Sequence, residues 1–332
     1  MEVLGLAAID ALSLAPQARR DFSPLSSRRW LLLDTSAVAL PERAQERIAR
    51  WLAELPCPVL GICPFSDASP VARACDVRLE HLDDARPLVA GIERSPIAAT
   101  VLVQLLRATE GLALADALVA ESLAYATLQA GPEFRRWLST RPAVLPVAAQ
   151  AGPAVMIERE GDRLSLALNR PASRNAMSVE MRDALVEALE LALADDSIRS
   201  LRISGRGKCF STGGELAEFG SAPDPATAHL VRSLALPGRL LAACAAKAEA
   251  RLHGACVGSG LEFPAFAGRV TATADAWFQL PELQYGLIPG AGGCVSVPRR
   301  IGRQRTAWLA LSGKRINART ALEWGLVDAL EG

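Results

Sequence analysis

Apolar and polar positions recur along this chain with two different textures. Val155-Met-Ile-Glu and Arg163-Leu-Ser-Leu-Ala-Leu168 have the length and alternation of paired strands. A helix is predicted after them: Ser178 is a suitable N-cap, Glu180 and Asp183 suit the positive end of the helix, and Met181, Leu185, Leu189 and Leu193 recur at helical spacing. Leu201-Arg-Ile-Ser204 resumes as a strand, and this strand-strand-helix-strand rhythm repeats through the glycine-rich loops that follow. Upstream, Trp30-Leu-Leu-Leu-Asp34 and Val59-Leu-Gly-Ile-Cys63 read as strands. Between them lies a helix from Pro41 to about Leu55, with proline in the first turn where its missing N–H is harmless. After Pro96 the periodicity predicts helices over 97–107, 114–129 and 133–139.

The textures meet at 141–153, Arg-Pro-Ala-Val-Leu-Pro-Val-Ala-Ala-Gln-Ala-Gly-Pro, where prolines, a glycine-proline pair and small residues read as a linker. The expected organisation is a helix-rich α/β region at 1–142, a linker at 143–153 and a glycine-rich α/β region at 154–332. A chain of 332 residues has room for both. Acidic and basic residues number 36 each, so the net charge points to neither nucleic acid nor an anionic membrane as partner. Arg239 and Lys247 interrupt the apolar stretch at 236–247, which argues against a membrane-spanning helix. Acid at Glu2 and Asp10 is unlike an export signal, so a cytoplasmic location is expected. The seven cysteines form no C-x-x-C pair; they suggest buried core thiols, with neither a disulfide framework nor a metal site.

Candidate chemistry gathers in three loops. A glycine-rich segment that ends a strand and opens a helix aims free backbone N–H groups at one point, where an anion or a developing oxyanion can be held. Gly213-Gly214 precedes a helix expected at 215–219, and Gly258-Ser259-Gly260 precedes one expected near Leu261. Two such N–H groups facing each other make an oxyanion hole. Alone, each loop is an ordinary tight turn and each nearby glutamate an ordinary surface charge. The combination differs: Glu262 lies two residues past the second glycine loop, and Glu282 follows Pro281 in a third stretch that ends Gly290-Ala-Gly-Gly293.

These segments, in this order, resemble the crotonase (enoyl-CoA hydratase/isomerase) superfamily over about residues 154–330. Arg170-Pro-Ala-Ser-Arg-Asn-Ala-Met177 is similar to the family's early coenzyme-A loop, Phe210-Ser-Thr-Gly-Gly-Glu-Leu216 to its first oxyanion loop, and His253–Glu262 to its second. Leu280-Pro-Glu-Leu283 with Gly286-Leu-Ile-Pro-Gly-Ala-Gly-Gly293 is similar to its signature stretch. The resemblance implies a spiral of repeated β-β-α units. By position it places the oxyanion donors on the N–H groups of Gly214 and Ser259, and substrate or coenzyme-A contacts on Arg174, Ala176, Thr212, Gly213 and Gly290. The Thr212 carbonyl would meet the adenine amino group. The two catalytic glutamates fall on Glu262, which would activate water, and Glu282, which would protonate the α-carbon.

Retention of both glutamates favours hydration of an enoyl thioester over isomerisation. Other crotonase reactions, namely isomerisation, carbon–carbon hydrolysis and decarboxylation, stay open, as does a catalytically weak acyl-CoA-binding subunit. The resemblance implies no cofactor beyond coenzyme A carried in on the substrate, and a homo-oligomer, trimer or hexamer.

Three departures stand out. Glu215 replaces the family's usual aspartate, and Ala217 a common lysine, so coenzyme-A phosphates would need Arg174, Arg206 or Lys208. The family's covering helices have no counterpart after Trp324-Gly-Leu-Val-Asp328, whereas Ser95–Leu106, Ala117–Tyr125 and Phe134–Leu138 resemble that missing segment. Pro58-Val-Leu-Gly-Ile62 and Ala72–Leu79 are similar to a family core strand and its following motif, with Pro70 where the first catalytic glutamate would fall. The first half therefore reads as a degenerate, non-catalytic copy that covers the second; an unrelated module is the alternative. His253 has a structural reading, Ser211 and Ser259 lack a matched histidine-acid pair, and His81 and His229 have no supporting motif.

Overall fold

The computed structural model describes residues 1–35, 40–141 and 151–331. Most of the expected linker, 143–150, lies outside the described residues.

In the first half, β1 (Leu4–Gly5), β2 (Leu31–Asp34), β3 (Val59–Ile62) and β4 (Val77–Leu79) form a parallel sheet in that order. Their apolar runs, such as Leu31-Leu-Leu33, are buried, as expected for parallel strands covered on both faces. The expected helix near Pro41 runs Glu42–Ala53, and Pro41 stands just outside it as the N-cap, in an extended conformation. Three further helices follow at Pro96–Thr109, Leu114–Gln129 and Pro132–Thr140, with proline in the first turn of the first and last.

In the second half, β5 (Val155–Glu160) and β6 (Arg163–Leu168) form the expected antiparallel pair. The helix Val179–Ala194 begins where Ser178 accepts from the Met181 N–H, and Met181, Leu185 and Leu189 are buried beneath it. A six-stranded sheet runs β13 (Ala329–Glu331), β10 (Arg269–Thr273), β8 (Ala248–Leu252), β7 (Ser200–Gly205), β6, β5. A three-stranded sheet runs β12 (Ile316–Asn317), β11 (Trp277–Gln279), β9 (Ala255–Val257).

Successive turns of chain feed one strand to each sheet. β8 and β10 pair in parallel in the large sheet, and their continuations β9 and β11 pair in parallel in the small one. After β7 the chain repeats the step, since Ser211 bridges to Cys256 of β9. The three loops that follow Ser211, β9 and β11 therefore leave the small sheet side by side, and these loops carry the candidate chemistry.

The two helices expected after the glycine loops are single turns. The one at 215–219 is a single 3-10 turn, Leu216–Glu218, and the one near Leu261 is a single α-turn, Ser259–Glu262. Pro264 stops the latter, since it offers no N–H to continue the ladder.

The halves share one hydrophobic core. Leu102, Val103 and Leu106 belong to the same buried cluster as Leu261, Val295 and Leu309, while a smaller cluster around Ile9, Leu33, Ile48 and Leu52 stays within the first half. A Cβ on Gly91 would fall 2.0 Å from the Leu311 carbonyl oxygen, so the helix Ala85–Arg94 lies directly against Arg303–Ser312. Buried Asp76 accepts from Val59 N–H at 2.8 Å and pairs with Arg107 of its own half and Arg303 of the other.

Among the described residues no single helix is long and apolar enough to cross a membrane. The helical segments Leu82–Arg94 and Pro96–Thr109 reach that length together but are bent by 110°, and Leu88, Ile92, Leu102 and Val103 on them are core residues. All seven cysteines are free and buried.

Candidate active site

Each of the three loops adds a polar group to one cavity of about 440 Å³, which Gly214, Ser259, Glu262 and Glu282 all line. Gly213 turns with φ +93°, and a Cβ there would sit 2.8 Å from the Val257 carbonyl oxygen, so glycine lets the first loop touch the second. Among the described residues the N–H groups of Gly214 and Ser259 find no acceptor, although their neighbours are paired: Glu215 N–H donates to Met177 and Leu261 N–H to Gly258. The residues of two unpaired N–H groups thus line the cavity that holds the two carboxyls.

Glu262 is buried, and its Oε2 accepts from the N–H groups of Ala291 (2.7 Å) and Gly293 (2.9 Å). Burial pushes its pKa up to about 7 against the downward pull of those donors. Glu282 is raised further: burial comes first, and the charge of Glu262 adds to it. Its Oε2 is buried without a hydrogen-bond partner. Both carboxyls are thus raised above the ordinary glutamate range, but two backbone donors favour the ionised form of Glu262, while one oxygen of Glu282 has no donor.

The glycines explain themselves here. A Cβ on Gly293 would lie 2.4 Å from Glu262 Cγ, and one on Gly258, at φ +51°, would lie 2.7 Å from Glu282 Oε1. Each carboxyl occupies space that a side chain would need.

The loop carrying Arg174 and Ala176 is pinned to the first oxyanion loop. Arg174 and Asn175 adopt left-handed φ values of 53° and 54°, a conformation that buried Asn175 secures by donating to the carbonyls of Arg206, Cys209 and Phe210. Thr212 N–H donates to the Arg174 carbonyl and Met177 N–H to that of Gly213. These bonds bring the backbones of Arg174, Arg206 and Lys208 together with their side chains exposed. Arg174, Ala176, Thr212 and Gly213 do not line the cavity, whereas Gly290 does. His253 Nε2 contacts the Gly207 carbonyl at 3.0 Å, a loop brace, and His229 Nδ1 contacts Ser122 Oγ at 2.9 Å.

The first half contributes residues that the motifs do not reveal. Glu121, buried on the Leu114–Gln129 helix, accepts from the N–H groups of Gly292 (2.7 Å) and Cys294 (2.8 Å). Four consecutive N–H groups, 291 to 294, therefore go alternately to Glu262 and Glu121. Burial and the nearby Glu262 raise the Glu121 pKa well above the usual carboxylate range. Tyr125, one turn on, lies so close to Gly290 that a Cβ there would fall 2.1 Å from its ring. The available sequence signal was an acid on a buried stripe, since Ala117, Leu118, Glu121 and Ser122 share one helix face. Among the described residues no group of three or more His, Cys, Asp or Glu side chains is placed to hold a metal.

The second half thus gathers two N–H groups without an acceptor and two buried carboxyls in one cavity beside its two sheets. The chain belongs to the enoyl-CoA hydratase/isomerase family, the crotonase superfamily, whose family model matches residues 160–331. It is 35% identical over 174 residues to the 2,3-dehydroadipyl-CoA hydratase of Escherichia coli K12, covering 52% of this chain and 68% of that one. It is 34% identical over 176 residues to the 1,2-epoxyphenylacetyl-CoA isomerase of the same organism, covering 49% and 64%. The solved enoyl-CoA hydratase of Mycobacterium smegmatis aligns with TM-score 0.50 at 28% identity over 54% of this chain and 70% of that one. The fold is thus the crotonase fold, and the family model leaves residues 1–159 unmatched.

Proposed function

We propose that this protein adds water across the α,β double bond of an enoyl-CoA thioester, or removes it in reverse. The observation that carries the reading is the pairing, in one cavity, of two unpaired N–H groups with two buried carboxyls, one gripped by two backbone donors and one with an oxygen that has none. A conjugated thioester is a poor electrophile until negative charge can collect on its carbonyl oxygen. The N–H groups of Gly214 and Ser259 would stabilise that charge without rearranging. Glu262, as carboxylate, takes a proton from water while the oxygen bonds to the β-carbon. Glu282, as acid, gives its proton to the α-carbon, so one water O–H bond and the C=C π bond break, one C–O and one C–H bond form, and the proton Glu282 loses is matched by the one Glu262 gains. The reading needs no cofactor beyond the coenzyme A of the substrate, whose adenosine end would lie along Arg174, Ala176, Thr212 and Gly213. A cytoplasmic location and a homo-trimer or hexamer belong to the same proposal.

The test is product analysis with crotonyl-CoA and longer enoyl-CoA esters: loss of the conjugated-thioester absorbance together with a mass gain of one water. Glu262→Gln and Glu282→Gln should each lower kcat by roughly 10²-fold or more. Full activity in both variants defeats the mechanism. One relative is named an isomerase, and a shifted double bond without mass gain would establish that reaction instead. Binding of acyl-CoA without turnover across the panel would mark a catalytically weak subunit.

A further inference from the structure

Arg232 is a cation whose surroundings do not account for its charge. It lines the same cavity as Glu262 and Glu282 but sits on the helix Pro225–Leu234, outside the glycine loops. Its hydrogen bonds all go to neutral acceptors of the first half: Nε to Ser122 Oγ (3.1 Å), one terminal nitrogen to Gln129 Oε1 (3.2 Å), the other to the Ser122 carbonyl (3.2 Å). A guanidinium has five N–H groups, so two remain uncommitted. Its carbon lies 4.6 Å from the centre of the Tyr125 ring, which fixes the fork in place.

The wall of the cavity includes the apolar Phe219, Ala222, Pro223, Ala228 and Val231. The nearest acid in its field is Glu121, whose two oxygens are already taken by Gly292 and Cys294 N–H, and it makes no bond to Arg232. Burial pulls the guanidinium pKa down, so an anion beside it replaces lost water and is favoured. Other charges bordering the cavity are Arg182, Glu215 and Glu218. Arg182 pairs with Asp183, and Glu218 accepts from Val179 N–H.

We infer that Arg232 is a carboxylate-binding subsite, and that the substrate class is an enoyl-CoA whose acyl chain ends in a carboxylate. Two free N–H groups of one guanidinium match the two oxygens of a carboxylate in a bidentate pair. The Tyr125 ring touches both this fork and the Gly290 backbone, and the next residue, Ala291, donates to Glu262, so the fork lies one aromatic ring away from the loop that grips that carboxyl. The anion belongs to the acyl end of the ligand, because Arg174, Ala176, Thr212 and Gly213, the residues assigned to coenzyme A, lie outside this cavity.

This rests on the enoyl-CoA reading, and the experiment separates the two. Turnover of hex-2-enedioyl-CoA is compared with hex-2-enoyl-CoA, and binding of adipyl-CoA with hexanoyl-CoA by calorimetry, in the full-length protein and in Arg232→Gln and Arg232→Lys. The wild type is expected to favour the carboxylated ester roughly tenfold or more. That ratio should collapse to near one in Arg232→Gln and be partly kept in Arg232→Lys. Because each ratio is internal to one variant, a general loss of fold or activity leaves it unchanged. A wild-type ratio of one or below, or a ratio untouched by Arg232→Gln, overturns the subsite. Equal weakening of free coenzyme A by Arg232→Gln also overturns it, the bound anion then being a phosphate. A binding preference without turnover of either enoyl ester keeps the subsite and refutes the hydration reading alone.

Discussion

The difference between Glu262 and Glu282 rests on which donors each carboxyl finds. Glu262 has two backbone N–H groups and a pKa of about 7, whereas Glu282 has a buried oxygen with no partner and a pKa pushed further up. The proposed water addition needs the first ionised and the second protonated. The rate should therefore rise as pH passes about 7 and fall again at higher pH as Glu282 loses its proton; kcat/KM against pH checks this. Stability has the opposite slope. Both folded pKa values lie above the unfolded glutamate value, so the native state binds more protons and loses stability as pH climbs from about 4.5 upward. Glu282→Gln removes its share of that loss, and its melting temperature should exceed wild type by roughly a few °C at pH 8 but not at pH 4. Glu262, Glu282, Gly214 and Ser259 were legible in the sequence because each sits in a short motif whose neighbours position it. Glu121 and Arg232 were not, since their partners lie 171 and 110 residues away.

Strands and long helices followed the apolar pattern closely because that pattern decides which face is buried; Leu164, Leu166 and Leu168 face one core. The site's two short helices did not follow it. In such segments Pro264 and the glycines, rather than periodicity, set the length. The helix Gly293–Ile301 shows what a short element demands. The N–H groups at its start have no partners in the helix itself, and two carboxyls from opposite halves of the chain satisfy them. Glu121→Ala leaves two buried N–H groups unpaired, at a cost of about 1–3 kcal/mol each. Urea unfolding should register that loss, and kcat should fall because Glu262 is held by the same loop.

At the scale of the whole molecule, the first half closes the cavity that the second half opens. Ser95 Oγ donates to the Leu283 carbonyl at 2.7 Å, next to Glu282, while Trp137 packs with Phe219 and Tyr285 at centroid distances of 5.9 and 4.9 Å. We propose that these helices take the place of the family's covering segment. The sequence suggested a resemblance of helices within 95–138 to that segment; the residues that dock them are scattered along the chain and announce themselves only in three dimensions. Residues 151–332 alone, lacking Glu121 and Tyr125, should be poorly soluble and lose at least about tenfold in turnover. Adding residues 1–141 in trans should restore part of it, and a soluble, fully active fragment would show that the first half covers nothing. The alternating grip of Glu262 and Glu121 on residues 291–294 also bears on how the chain folds as it is made. Glu121 leaves the ribosome long before its partners exist, so the apolar faces of 96–140 must wait uncovered through the synthesis of more than a hundred residues. Such distant closure slows folding and exposes the nascent chain to aggregation. Yield in vivo should therefore depend on chaperones more steeply than the native protein's stability suggests.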